Sequence, residues 1–139
     1  MPQTNKEERI NITIPYAPFS QKRHRNSRWG GVYDPSAPDK ELVLAYLQTI
    51  KNTLYIIEPP IGMEIWAYMP IPKSLSKKKQ LELEGTLQFK KPDYDNIGKF
   101  YGDVLEGLCY SNDSHISFST VHKIYSSNPR VEIRLWHCD

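Results

Sequence analysis

Two aspartates one residue apart, Asp93 and Asp95, stand at the entrance of a strongly periodic segment, and Lys99 follows one helical turn later. In an extended stretch, residues two apart point the same way, so both carboxylates share a side. Pro92 fixes its own φ and biases Lys91 toward an extended conformation, which stiffens the approach. A third carboxylate, Asp113, sits in a turn before a later alternating segment and is expected to fold back beside the helix start. Three carboxylates on a stiff frame offer the hard oxygen ligands that suit Mg²⁺ or Mn²⁺. An ammonium at Lys99 would neutralise charge building on a phosphoryl group beside such an ion. The plainer reading makes Asp95 a helix N-cap and Lys99 its surface partner, a pair worth about 0.2–0.5 kcal/mol. A cap explains one carboxylate. It leaves Asp93 and the polar ridge through Lys99 and Asp103 unexplained, and spacing alone does not choose between the two.

The element that must position these groups is readable from its period. At 100° per residue, the residues Phe100, Tyr101, Val104, Leu105 and Leu108 all fall within about 80° of Ile97, predicting an amphipathic helix from Asn96 to Leu108. Asp95, Lys99 and Glu106 take the far side, with Asp103 on its shoulder. Gly98 and Gly102 each cost about 1 kcal/mol against Ala there, a cost tolerated where another chain segment or a substrate comes close. Earlier, Arg9 to Pro15 alternates as a strand with Ile10, Ile12 and Ile14 inward, and Tyr16 to Asp34 reads as a loop or loose hairpin. Ser36 or Ala37 is expected to cap a helix with Pro38 in its first turn, burying Leu42, Ala45, Tyr46, Thr49 and Ile50 and fading near Asn52. Met63 to Ile71 predicts an interior strand, apolar on both faces and ended by Pro70 and Pro72. Ser74 to Glu84 predicts a short exposed helix stopped by Gly85. Ile116 to Tyr125 and Arg130 to Trp136 alternate around the turn Ser126-Ser-Asn-Pro, predicting an antiparallel hairpin.

With 139 residues, 39% hydrophobic and 24% charged, the chain fits one globular domain with a core that needs no disulfide or metal staple. No apolar run approaches the ~20 residues of a membrane span, and the polar Met1 to Glu8, expected to be disordered, holds no secretory signal. Cys109 and Cys138 lack ligand spacing and read as reduced thiols of a cytoplasmic protein. Net charge is only +2, but Arg9 to Tyr33 carries five basic residues and no acid, with Lys22, Arg23, Arg25 and Arg28 crowded together. Lys73, Lys77, Lys78 and Lys79 make a second acid-free run, and Lys90 and Lys91 precede the aspartates. Such segregation suits a protein that binds a polyanion around a cation, although charge runs are also ordinary solvated faces. His24 belongs to the basic loop and fits hydrogen bonding to phosphate. His115, His122 and His137 are scattered and fit packing or surface roles, and Ser114 beside His115 makes no triad. Trp29, Tyr33 and Tyr16 flank the basic loop, where they would stack on nucleobases or merely anchor it.

Lys91-Pro-Asp-Tyr-Asp-Asn-Ile-Gly-Lys-Phe-Tyr-Gly-Asp-Val-Leu-Glu-Gly, then Tyr110-Ser-Asn-Asp-Ser-His-Ile, then Lys123-Ile-Tyr, resembles the RusA family of Holliday junction resolvases. That family's pattern is roughly K-P-D-x-D-N-[LI]-x-K-x-x-x-D-x-L-x-G, then Y-x-D-D-x-Q-I, then K. The strand ending Ile14-Pro15, the Lys22-Arg-His-Arg loop and Tyr33-Asp-Pro are similar to its opening, so the likeness spans nearly the whole chain. Asn112 departs from the first Asp of the pair and His115 from the Gln, which removes one negative charge and is expected to weaken metal binding without abolishing it.

The resemblance implies a single α+β domain over residues 1–139: a small mixed sheet with a C-terminal antiparallel hairpin, packed with two main helices. It implies an Mg²⁺-dependent endodeoxyribonuclease, with Mn²⁺ as a substitute, that nicks four-way DNA junctions in symmetric pairs as a homodimer during recombination and repair. Asp93, Asp95 and Asp113 match the family's metal-binding aspartates and Lys99 its essential lysine. Asn96, Asp103 and Asn112 are expected just behind those ligands. Lys22, Arg23, Arg25, Arg28, Lys73, Lys77, Lys78, Lys79, Lys90 and Lys91 would hold phosphates without reading sequence. Small proteins of this kind are bacterial and often carried by prophages. Two alternatives stay open: a nuclease of the same fold preferring other branched DNA, and a non-catalytic nucleic-acid-binding protein.

Overall fold

The computed structural model describes residues 9–139, so the expected disorder of residues 1–8 lies outside the described residues. Four strands form the main sheet: β1 (Arg9–Ile14), β4 (Ile61–Pro70), β5 (Ile116–Ser126) and β6 (Arg130–His137), in the order β1-β6-β4-β5. Two short strands, β2 (Arg25–Asn26) and β3 (Val32–Tyr33), make the hairpin that Tyr16 to Asp34 suggested. Three helices complete the fold: α1 (Ala37–Thr49), α2 (Lys77–Leu83) and α3 (Tyr94–Leu105). The chain is α+β with a mixed sheet, since β4 runs parallel to β5 and antiparallel to β6.

One face of the sheet makes the core. Ile12, Ile133 and Ile65 share one row across β1, β6 and β4, and all are buried. Each such side chain contributes roughly 1.5–3 kcal/mol by leaving water. Helix α1 packs over β1, α3 over β5, and the two helices touch. Buried Ile97, Phe100, Tyr101, Val104 and Leu105 are the face of α3 that the period predicted. The helix ends three residues before Leu108, which still packs against the core. Gly98 and Gly102 sit where neighbours press in: a Cβ would lie 3.4 Å from Val121 of β5 at one and 3.8 Å from the Tyr110 hydroxyl at the other.

Three expectations fail locally. The C-terminal hairpin is not formed, because β4 lies between β5 and β6. The turn signal at Ser126 to Pro129 is real, but Pro70 ends β4 and the turn passes over that end instead of joining neighbours. In α1 the buried line is Val43 and Leu47, one residue round from the predicted face; Leu42 is exposed, and Ala45 and Thr49 face solvent. Its apolar residues are spread around the helix, so packing against β1 and α3 chose the face. Ser36 precedes α1 without capping it, since its hydroxyl accepts from the Lys22 N–H instead.

The interior strand is β4, as expected, though it begins two residues earlier than the sequence suggested. Its second face is only half covered: Trp66 stacks on His122 with ring centres 3.9 Å apart, and Arg130 lies over the Tyr68 ring. Helix α2 is short and mostly exposed, with Leu83 turned to the core; Ser76 caps it and Gly85 follows at φ +79°, a left-handed turn that glycine adopts freely.

Candidate active site

The first turn of α3 carries the acids. Asp93, in extended conformation, precedes the helix without making a side-chain capping bond, so the N-cap expected at Asp95 falls two residues earlier. Asp95 lies in the first turn, where the helix dipole favours an anion. Among the described residues neither the Asp95 nor the Lys99 side chain has a hydrogen bond or ion pair, so the surface pairing offered as the plain explanation is not made. Asp93 pairs with Lys91 at 3.2 Å, between exposed groups whose attraction water largely screens.

The entrance to that turn is held by a residue whose role sequence reasoning missed. Lys123 of β5 donates 2.7 Å hydrogen bonds to the carbonyls of Lys90 and Pro92. It shares the phase of Val121, which faces α3; a lysine on the inward side of an alternating strand was the available signal. The segment from Gly85 to Gln88 also hydrogen-bonds along the second half of β5, which fixes the approach further back.

The basic loop is wired to the same turn. The Gln21 N–H donates to the Asn96 carbonyl at 2.8 Å, and the Phe19 N–H to the Tyr101 hydroxyl at 2.9 Å. Gln21, buried, donates its amide to Asp34 and to the Lys22 carbonyl. Asp34 also accepts from the Ser36 N–H and from Lys40. None of Gln21, Asp34 or Lys40 stood out in the sequence, because each is a common surface type whose burial depends on the fold. The hydrogen bond from Lys40 holds the Asp34 carboxyl down at about 2. Desolvation works against the Lys40 ammonium, but Asp34 and Asp103 outweigh it and raise its pKa.

These bonds create two grooves against α3. One, of about 410 Å³, is lined by Gln21, Lys22, Arg23, His24, Asn96 and Lys99. Its neighbour runs past Lys22, Asp39, Lys91, Asp93 and Asn96. On the other flank of the turn, Asp95 and Lys99 face Ser119 and Thr120 of β5 across a third hollow, polar residues that no motif singles out. Lys22, Arg23, Lys91, Asn96 and Lys99 are thus brought together with Asp93 and Asp95. Arg25 and Arg28 go onto the small hairpin, and Lys73, Lys77, Lys78 and Lys79 line none of these three grooves. The carbonyl of Lys90 is held by Lys123 while its side chain stays exposed.

Asp113 does not fold back to the helix start. Its N–H donates to the Glu106 carboxylate at 3.1 Å, at the opposite end of α3. Asp103 pairs with Lys40 at 3.3 Å, tying α3 to α1 rather than supporting an ion. Asn112 accepts from the Ser114 N–H and caps the turn Asp113–His115. Among the described residues no three His, Cys, Asp or Glu side chains gather around a common point. A closed cage of carboxylates from one chain therefore does not fit this site. Mg²⁺, however, keeps several waters and is usually taken by one or two carboxylates plus substrate phosphates. Asp93 and Asp95, exposed beside a cationic groove, fit that open mode.

The family described as "Endodeoxyribonuclease RusA" matches residues 15–136. The chain is also similar to the uncharacterized protein YqaN of Bacillus subtilis (strain 168), 34% identical over 134 residues that cover 91% of this chain and 94% of YqaN.

Proposed function

The chain belongs to the RusA endodeoxyribonuclease family, and from that premise we propose that it is a divalent-metal-dependent nuclease that resolves four-way DNA junctions by paired nicks, acting as a homodimer. The observation that carries the reading is the 2.8 Å bond from the Gln21 N–H to the Asn96 carbonyl. It fixes a cationic loop against the turn that bears Asp93, Asp95 and Lys99, so phosphate binding and the acidic groups share one frame. Lys22 and Arg23 hold the strand by its phosphates, which places it without reading bases. Lys99, free of any partner among the described residues, neutralises charge on the phosphate under attack.

Asp93 and Asp95 would hold Mg²⁺, or Mn²⁺ in its place; once bound, the ion supplies Lewis-acid polarisation of the scissile phosphate and a more acidic water. Asp113, bonded to Glu106 at the far end of α3, would join such a site only if a second copy of the chain contributed it. Two copies also suit a substrate with two equivalent strands. Attack in line leaves 5′-phosphate and 3′-hydroxyl ends that a ligase can rejoin. The bacterial cytoplasm is the matching compartment, where Cys109 and Cys138, free in the structure, remain thiols.

The test is a cleavage assay on a synthetic four-way junction, with and without Mg²⁺, mapping both nicks and running a flap and a plain duplex alongside. Symmetric nicks confined to the junction support the reading. Preference for the flap would move it to another branched substrate, and no metal-dependent cutting of any DNA would leave a binding protein.

A further inference from the structure

Trp29 is 89% exposed, and Val32 and Tyr33 beside it are also open to solvent. Among the described residues no aromatic ring pairs with this indole, and its neighbour is the Arg28 guanidinium, 5.9 Å from the ring centre. A loop anchor would bury its ring; this one does not. Yet the tip that carries it is built. The Ser27 hydroxyl accepts from the N–H groups of Trp29 and Gly31, at 3.3 and 3.1 Å, and the Gly30 N–H donates to the Ser27 carbonyl. Gly30 takes φ +92°, a left-handed conformation that a residue with a Cβ adopts only under strain.

The wiring already described ties both ends of the hairpin's base, through Gln21 and Lys22 on one side and Asp34 on the other. Residue 29 lies seven positions after Lys22, so its backbone is at most about 25 Å from the groove, roughly seven phosphate spacings along one strand. Between the two lie Arg23, His24, Arg25 and Arg28, with no acid. A cationic track leading to an exposed ring is the arrangement that receives a strand whose bases have a free face. A continuous duplex hides those faces in its stack. A branch point, a frayed end or a single strand does not.

We infer that Trp29 is a base-stacking residue that takes an unstacked nucleobase at a branch point, and so gives this protein selectivity for branched over continuous DNA. The inference rests on the nuclease reading for its substrate, but its test does not. Intrinsic fluorescence of the full chain is titrated with an oligothymidine single strand, and the same is done with Trp29→Phe and Trp29→Ala. Trp66 and Trp136, both half-buried, remain as an internal background. Quenching by the oligonucleotide that disappears in Trp29→Phe is expected. Binding to a four-way junction bearing 2-aminopurine next to the branch is then compared with binding to a duplex, in EDTA so that nothing is cut. Trp29→Ala should weaken junction binding about tenfold, Trp29→Phe less, and neither should change duplex binding more than about twofold.

Unaltered junction affinity in Trp29→Ala, or an equal loss on junction and duplex, overturns the inference even if the wild type cuts junctions. Quenching at Trp29 by a protein that cuts nothing leaves the inference standing and removes the nuclease reading. A wild type that binds neither the single strand nor the junction ends both. An unchanged melting temperature in the variants excludes misfolding as the cause.

Discussion

The two ends of α3 carry the same residue types and use them in opposite ways. Toward its C-terminal end, Asp103 is paired with Lys40, Glu106 accepts from the backbone of Asp113, and the Tyr110 hydroxyl donates to the Gly102 carbonyl. At its N-terminal end Asp95 and Lys99, opposite charges one turn apart, have no partner among the described residues. At one end the acids hold the fold together; at the other they stay open to another group. Satisfied polar groups rigidify. Unsatisfied exposed ones at a wired helix start are available.

The sharpest way to break that contrast is to neutralise one acid at each end. Asp95→Asn should lower junction cleavage by at least about 10²-fold, the scale seen when one group that stabilises transition-state charge is removed, while gel-shift affinity is kept. Asp103→Asn should leave the cleavage rate within a few-fold and lower the melting temperature instead, since it loosens a contact between helices. Equal losses of activity at both positions would erase the distinction. Next in size, Lys99→Ala should reduce the single-turnover rate at saturating DNA by about 10²-fold with little change in the half-saturating DNA concentration. A loss confined to affinity would reassign Lys99 to plain phosphate holding.

A smaller effect tests the paired node by pH. The Asp34 carboxyl is held at about 2, against an ordinary 3.8, chiefly by its bond from Lys40. A folded-state pKa below the unfolded one adds stability that is complete above about pH 4 and is lost as pH falls toward 2. The contribution is about 1 kcal/mol once solvent screening of this partly exposed pair is discounted. Denaturant melts of wild type and Lys40→Met between pH 5 and 2 should converge at the acid end. Parallel curves would show that Lys40 does not hold Asp34 down.

Much of this is legible in the sequence. The buried stripe of α3 follows from the 3.6-residue period, and the isoleucines of β1 from simple alternation, because both faces are chosen by strong segregation of apolar side chains. The face of α1 was misjudged by one residue because its apolar positions surround the helix, leaving tertiary packing to decide. The hairpin failed for a different reason: a turn signal says that the chain reverses, not which strand slides between its arms. At the site, motif spacing located Asp93, Asp95 and Lys99, but seeing that Asp113 lies at the other end of α3 requires knowing that α3 and β5 run past each other in opposite directions. Lys123 stands in the motif, but its role there is not legible, nor is that of Gln21, because both act through hydrogen bonds to backbone carbonyls far away in sequence.

The smallest effect separates wired cations from free ones. Lys22 lines the grooves at α3 and its own N–H is held by Ser36, whereas Lys77 begins the exposed helix α2 and shares no groove with the acids. If both meet phosphates, each alanine substitution should lower the slope of log affinity against log salt by about one, because each releases about one counterion. Only Lys22→Ala should also slow cleavage several-fold at saturating DNA, since it alone fixes the strand relative to Asp95. The comparison needs both measurements: salt titration counts phosphates, and the saturated rate reports whether a phosphate contact positions the reacting one. A slowed rate in Lys77→Ala would mean that the arms of the junction, rather than the loop bound to Asn96, set the strand in place.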